Sequence, residues 1–418
     1  MANRIVIATA LAVVAFTAAC AANAPPSPAP APAAAKAPLR IGILVPFTES
    51  AIDADIGASQ RRAADLYLKL KGGALAGRQV QLVYNDESAL DPKVNEVRIR
   101  QFLADDHVEL LLGGAGTPAA YLLRDSAEAA KLVYIDTNAS GNTVTRTPPN
   151  CASQCQSKLV FRTAPSSWQM SEPLGEWAAK NGRREFAVVY GDDVFGTESA
   201  AAFVEGLTKN GGTSSVGTAV PTKSGADWAK IVAGLKSQAA KNVFAAFVTD
   251  DAEGFINAWG SAGMSTAGYR LFGPGPLVEA RVVAVTKQAA LGITTSFPWS
   301  AELDNPENRS FVKDFSAAYK DDETGSPLVP DAYAVEMWDT MQLLENALKA
   351  TDADVKDSGA LVAALEGASF RGPGGAFALD RSTHDPLQDM YIREVKAANG
   401  TLVNAVVDKI ANVTGPGQ

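Results

Sequence analysis

The sequence predicts an α/β protein made of two doubly wound lobes, and three observations carry that prediction. Short β-branched runs alternate with amphipathic stretches along most of the chain. The alternation restarts in mid-chain, after a loop carrying Cys151 and Cys155. Roughly 380 residues follow an N-terminal Ala/Pro tract, more than the ~100–200 usual for one domain.

In the first half, "LRIGILVPF", "RQVQLVYND", "VELLLGG" and "LVYIDTN" read as strands. Continuous apolar runs of this kind are buried on both faces, as in a parallel sheet covered by helices. Between them "DIGASQRRAADLYLKLKGG", "DPKVNEVRIRQFLADD" and "TPAAYLLRDSAEAA" have helical spacing. In the second of these, Val94, Val97, Ile99 and Phe102 are expected on one side, and Pro92 suits a first helical turn. The second half repeats the order with "LVFRTAP", "REFAVVYGDD", "NVFAAFVTDD" and "YRLFGPGP" as strands among helical stretches. Helical patterns resume at "PENRSFVKDFSAAYKDD" and "PDAYAVEMWDTMQLLENALKAT". The chain closes on "FRGPGGAFALD" and "QDMYIREVKAANGTLVNAVVDKI", which alternate and turn at Gly as a terminal β-hairpin does.

The N-terminus reads as an export signal over residues 1–19, with Arg4 before the apolar run "IVIATALAVVAFTAA". That run falls short of the ~20 apolar residues a spanning helix needs. "TAAC" resembles a bacterial lipobox, with Thr17 at the usual Leu position, so Cys20 is the expected lipidation site. Cleavage between Ala22 and Ala24 is the alternative and would release a soluble form. Residues 20–38 are the expected tether: the Ala/Pro composition cannot bury a core, and fifteen such residues span roughly 45 Å. The chain has three cysteines. In an oxidising compartment Cys151 and Cys155 would close a small disulfide and leave Cys20 for lipid. No metal is expected, because His107 and His384 lack ligand spacing to the cysteines.

The net charge of −9, without a Lys/Arg cluster to offset it, argues against a nucleic-acid partner. "GAGTPA", from Gly114 to Ala119, matches the dinucleotide pattern and precedes Asp136, yet an exported protein has no expected use for a nicotinamide cofactor. No cofactor is expected. The physics under the motif survives, since backbone N–H groups at a helix start attract an anion; the plainer account is that Gly114 and Gly116 permit a tight turn. No G-x-S-x-G elbow, H-E-x-x-H or P-loop supports an enzyme.

From Leu39 to about Ile410, "IGILVPF", "VFRTAP", "YGDDVFG", "LFGPGP", "LGITTSFPWSAELDNPENRSFV" and "RGPGGAFALDRSTHDPLQDMYIREV" follow one another in an order that resembles the type I periplasmic solute-binding proteins of the leucine/branched-chain amino acid class. The last two resemble the aromatic-carboxylate branch. The resemblance implies two Rossmann-like lobes joined by a three-strand hinge, with crossings near Phe161 to Pro165, Phe272 to Pro276 and Arg371 to Ala376. Lobe 1 would comprise 39–160 and 276–371, lobe 2 161–275 and 372–410, with 411–418 as a tail. It places a ligand carboxylate at Gly116, Thr117, Asn138, Ala139 and Ser140, and a ligand ammonium at an acid matched here by Asp251, for which helix capping is an equal explanation. Phe195 and Trp168 are candidate ligand-facing rings or core residues. The implied function is capture of a small amphipathic carboxylate, an aromatic acid or hydrophobic amino acid, by an exported monomer serving an ABC permease in the inner membrane. A sensor reporting to a signalling partner is the rival, and an exported α/β enzyme the second.

Overall fold

The computed structural model describes Met1 and residues 36–48, 50–88, 91–146, 157–222, 225–321, 324–398 and 400–415. Cys20, Cys151, Cys155, the signal and most of the tether lie outside them, and Ala37 opens the folded body.

The first sheet takes β1 (Leu39–Val45), β2 (Ala74–Leu75), β3 (Arg78–Asp86), β4 (Leu110–Gly113), β5 (Val133–Asp136) and β6 (Val160–Arg162) in the order β2-β3-β1-β4-β5-β6. Between strands run α1 (Ala51–Leu70), α2 (Pro92–Ala104) and α3 (Thr117–Ala130). β1 pairs in parallel with both β3 and β4, and every residue of β4 and β5 is buried. That is the result expected of continuous apolar strands sandwiched by helices. α2 buries Asn95, Ile99 and Phe102, whereas Val97 is 55% exposed. At 100° per residue, positions 95, 99 and 102 share a face, and Val97 is turned well away from it.

The second sheet restarts the pattern. α4 (Ser167–Lys180), β7 (Glu185–Gly191), α5 (Val194–Lys209), β8 (Thr213–Ser214), β9 (Thr218–Val220), α6 (Trp228–Lys236), β10 (Asn242–Ala246), α7 (Thr249–Ser261), β11 (Arg270–Pro274), α8 (Ala280–Thr286) and β12 (Thr294–Phe297) follow in turn. β7, β10, β11 and β12 are parallel neighbours. The chain then runs through α9 (Pro306–Ala318), α10 (Ala332–Ala350) and α11 (Ser358–Gly367). α10 packs on α1 of the first lobe: the Tyr67 and Trp338 rings meet edge to face at 4.9 Å. Finally β13 (Ser369–Gly372), β14 (Gly375–Leu379), β15 (Pro386–Ala398) and β16 (Thr401–Val413) complete the second sheet, β15 lying antiparallel to β12 and to β16. The terminal hairpin is therefore present.

Two of the expected crossings move. β11 does not hand the chain to the first lobe at Phe272 to Pro276; β12 adds to β11 in the same sheet, so the chain leaves only after Phe297. The return likewise precedes β13, at Ala368, and not Arg371 to Ala376. Gly is dense at both expected places because packing is close there: a Cβ on Gly273 or Gly275 would strike Ala245 O or the Phe297 ring, and one on Gly372 or Gly374 would strike the Asp339 carboxyl or Pro298 O. These glycines mark close packing, and the crossings themselves lie elsewhere. After β6, at the edge of the first sheet, the chain passes into α4 and then the second sheet.

Candidate functional site

A cavity of about 490 Å³ opens where the C-terminal ends of strands from both sheets meet. From the first lobe come Pro46 after β1, Asp53 and Ile56 on α1, Glu87 and Ser88 after β3, Gly116 and Thr117 at the start of α3, and Asn138 and Ser140 after β5. The second supplies Met170 on α4, Asp192 and Phe195 after β7, Val248 and Thr249 after β10, and Phe297 at the end of β12. Pro165 in the first crossing and Tyr333 and Glu336 on α10 close the hinge side. Open α/β sheets bind ligands at this edge, because helix starts and loops converge there.

The helix start that the sequence singles out is already engaged. Glu87, which is buried, accepts hydrogen bonds from Ala115 N at 2.7 Å and Gly116 N at 2.8 Å. Burial pushes its carboxyl up to about 8 against the pull of those two donors, with Asp136 and Asp53 adding repulsion. Gly116 and Thr117 still line the cavity, but Thr117 Oγ1 also accepts from Gly141 N at 3.2 Å, and Pro118 removes one donor from the first turn. A ligand anion would therefore share this turn with an internal carboxyl.

Asn138 and Ser140 line the cavity; Ala139 does not. Ala139 is buried, and its N–H is spent on Asp136 Oδ1 at 2.9 Å and Gly114 O at 2.9 Å. Asp136 in turn faces inward, 3.5 Å from the Arg162 guanidinium, and is pushed up to about 7 chiefly by burial. The carboxylate that completes a dinucleotide pattern in the sequence is thus committed to the hinge.

On the second lobe Phe195 lines the cavity, whereas Trp168 and Asp251 do not. Trp168 is half-buried against the core, with its backbone N–H on Asn142 Oδ1 at 2.9 Å. Asp251 lies in the first turn of α7, beside Asp250, where an acid complements the helix dipole. The wall at this strand end is made by Val248 and Thr249, and Thr249 takes φ +50°, a conformation a β-branched residue rarely adopts. Such strain clusters at ligand sites.

Sequence reasoning missed Glu87, Glu336 and Phe297. Phe297 ends the strand that was assigned to the wrong lobe, and the two glutamates meet the cavity only through strand order and the packing of α10.

Residues 38–401 match the family described as periplasmic binding protein. Leu/Ile/Val-binding protein homolog 6 of Brucella suis biovar 1 (strain 1330) is 26% identical over 381 residues, 91% of this chain and 93% of its own length. Among solved structures, a solute binding protein of an ABC transporter from Rhodopseudomonas palustris BisB5, in complex with 3,4-dihydroxybenzoic acid, superimposes with TM-score 0.81 at 28% identity, covering 91% of this chain and 99% of that one. A solute binding protein from R. palustris in complex with benzoate has TM-score 0.78 at 28% identity, covering 91% of this chain and 100% of that one.

Proposed function

As this chain belongs to the periplasmic binding protein family, we propose that it is the exported solute-binding receptor of an ABC importer, capturing a small amphipathic carboxylate between its lobes. One observation carries the reading: the cavity draws apolar walls from both sheets, Ile56 from one and Met170, Phe195 and Phe297 from the other, around hydroxyl and amide groups at Thr117, Asn138 and Ser140. A ligand touching both lobes stabilises the closed arrangement, and its differential affinity for that state sets the shift. The similar solute binding proteins solved with aromatic acids favour a ring-bearing ligand here as well. The work is binding and delivery to a permease, not catalysis.

Export and tethering complete the proposal. Cys20 becomes the lipidated N-terminus of the mature protein, and Cys151 and Cys155 form a disulfide ahead of the first crossing.

Thermal-shift titration with benzoate, 4-hydroxybenzoate and leucine tests the function. A ligand at a hundred times its Kd stabilises the native state by about 2.7 kcal/mol, which moves the midpoint by several degrees. No shift with any of the three would overturn the carboxylate reading.

A further inference from the structure

The cavity wall carries five acids, Asp53, Glu87, Asp192, Asp193 and Glu336, and among the described residues that line it there is no lysine, arginine or histidine. Four of the acids hold the wall together. Glu87 accepts from Ala115 and Gly116, Asp192 from Thr222 N at 3.0 Å, Asp193 from Gly196 N at 2.7 Å, and Asp53 from Ser50 Oγ at 3.1 Å.

Glu336 differs. It is 6% exposed, it lines the cavity, and its Oε2 has no hydrogen-bond partner among the described residues. Its backbone is fixed, because its carbonyl accepts from Thr163 Oγ1 at 3.3 Å and from Thr340 Oγ1 at 2.8 Å. The first crossing and α10 together hold this carboxyl at the hinge end of the cavity. A buried oxygen without a partner is costly and rare in a native structure. A cavity bounded by acids and lacking basic side chains also favours a ligand that brings hydrogen-bond donors over a bare anion.

We propose that Glu336 is a specificity-determining residue which accepts a hydrogen bond from an O–H or N–H group on the ligand, so that the carboxylates taken up are those carrying such a donor. The inference rests on the reading of the cavity as the carboxylate site. Burial, reinforced by Asp136, Glu279 and Asp331 nearby, raises the Glu336 pKa well above the carboxylate range. A neutral carboxyl keeps its carbonyl oxygen as acceptor and does not repel the ligand's own carboxylate.

Two matched pairs test it by calorimetry: 4-hydroxybenzoate against benzoate, and phenylalanine against 3-phenylpropanoate. In the wild type the donor-bearing member of at least one pair binds about tenfold or more tighter, since a site built to pair a polar group rejects the analogue lacking it. Glu336→Met brings that ratio close to one without weakening the donor-free member. Glu336→Gln, which keeps a neutral carbonyl oxygen as acceptor, retains the preference. Equal affinities within both pairs overturn the inference and leave the carboxylate reading standing; so does a preference that survives Glu336→Met, or equal weakening of both members. Failure of Glu336→Met to fold also overturns it, by marking the carboxyl as structural. If no probe binds the wild type, the carboxylate reading falls and the inference with it.

Discussion

Glu87 decides what the start of α3 offers a ligand. The sequence marks Gly116 and Thr117 as an anion site through local geometry alone, but the carboxyl that takes the Ala115 and Gly116 donors comes from the end of β3, 29 positions away from Gly116. No local pattern shows that meeting. Glu87 is held up at about 8, Asp136 and Asp331 at about 7, and Asp385 at about 6, each mainly by burial. Folded acids with raised pKa bind protons that the unfolded chain has already released, so their stabilisation is complete below about pH 4 and lost as pH climbs through 6 to 8. Thermal unfolding should therefore give a lower midpoint at pH 8.5 than at pH 5.5, and Glu87→Gln should flatten the upper part of that slope. A midpoint rising over this range would refute the assignment. Side chains on and off the wall separate in the same way: Phe195→Ala should weaken binding of an aromatic acid by about 1.5–3 kcal/mol through lost apolar burial. Trp168→Ala should act mainly on stability, and Asp251→Asn should leave calorimetric affinity within a factor of about two, as neither residue lines the cavity.

Among elements, the α4 and α5 pair is closely packed and supports the second-lobe wall. A Cβ on Gly206 would stand 2.0 Å from Glu172 O, and one on Gly175 would stand 2.2 Å from Phe203 O, so the two helices approach backbone to backbone. Gly206→Val should force them apart and cost about 1–3 kcal/mol, read as a lower urea midpoint; an unchanged midpoint would deny the close approach. Helix and strand identities were largely legible, since "AVVYGDD" and "DAYAVEMWDTMQLLENAL" have clear periods. Lobe membership was less so. β12 is a four-residue strand, Thr294–Phe297, whose place beside β11 depends on pairing across the intervening helical turns. α10 falls within 276–371, the segment the resemblance gives to lobe 1, and it packs on α1 of that lobe.

Across the whole molecule, Arg162 is the tie at the first crossing. Buried at the end of β6, it stands 3.5 Å from Asp136 of the first sheet and 3.7 Å from Asp385, which follows β14 of the second, and it donates to the carbonyls of Ala164 and Gly141 at 3.0 and 2.8 Å. Arg162→Leu would strand these acceptors in a site closed to water and should destabilise by about 3–5 kcal/mol in urea unfolding; a loss under 1 kcal/mol would mean the pairings contribute little. Intact-mass measurement of the mature protein checks the N-terminal proposal: a lipid on Cys20 and no alkylatable thiols at Cys151 and Cys155 are expected, whereas an unmodified N-terminus beyond Cys20 would remove the tether. By itself the sequence determined the α/β class, the two-lobed plan, the terminal hairpin and the strand ends around which a site would form. These depend on period and on turn residues, which are local properties. Tertiary structure alone decided which lobe owns β12, that Glu87 fills part of the α3 start, that Asp251 stays off the wall, and that Glu336 is held at the hinge side of the cavity. Each of those is a contact between segments far apart in the chain, and such contacts are set by strand order and helix packing, on which local spacing has no bearing.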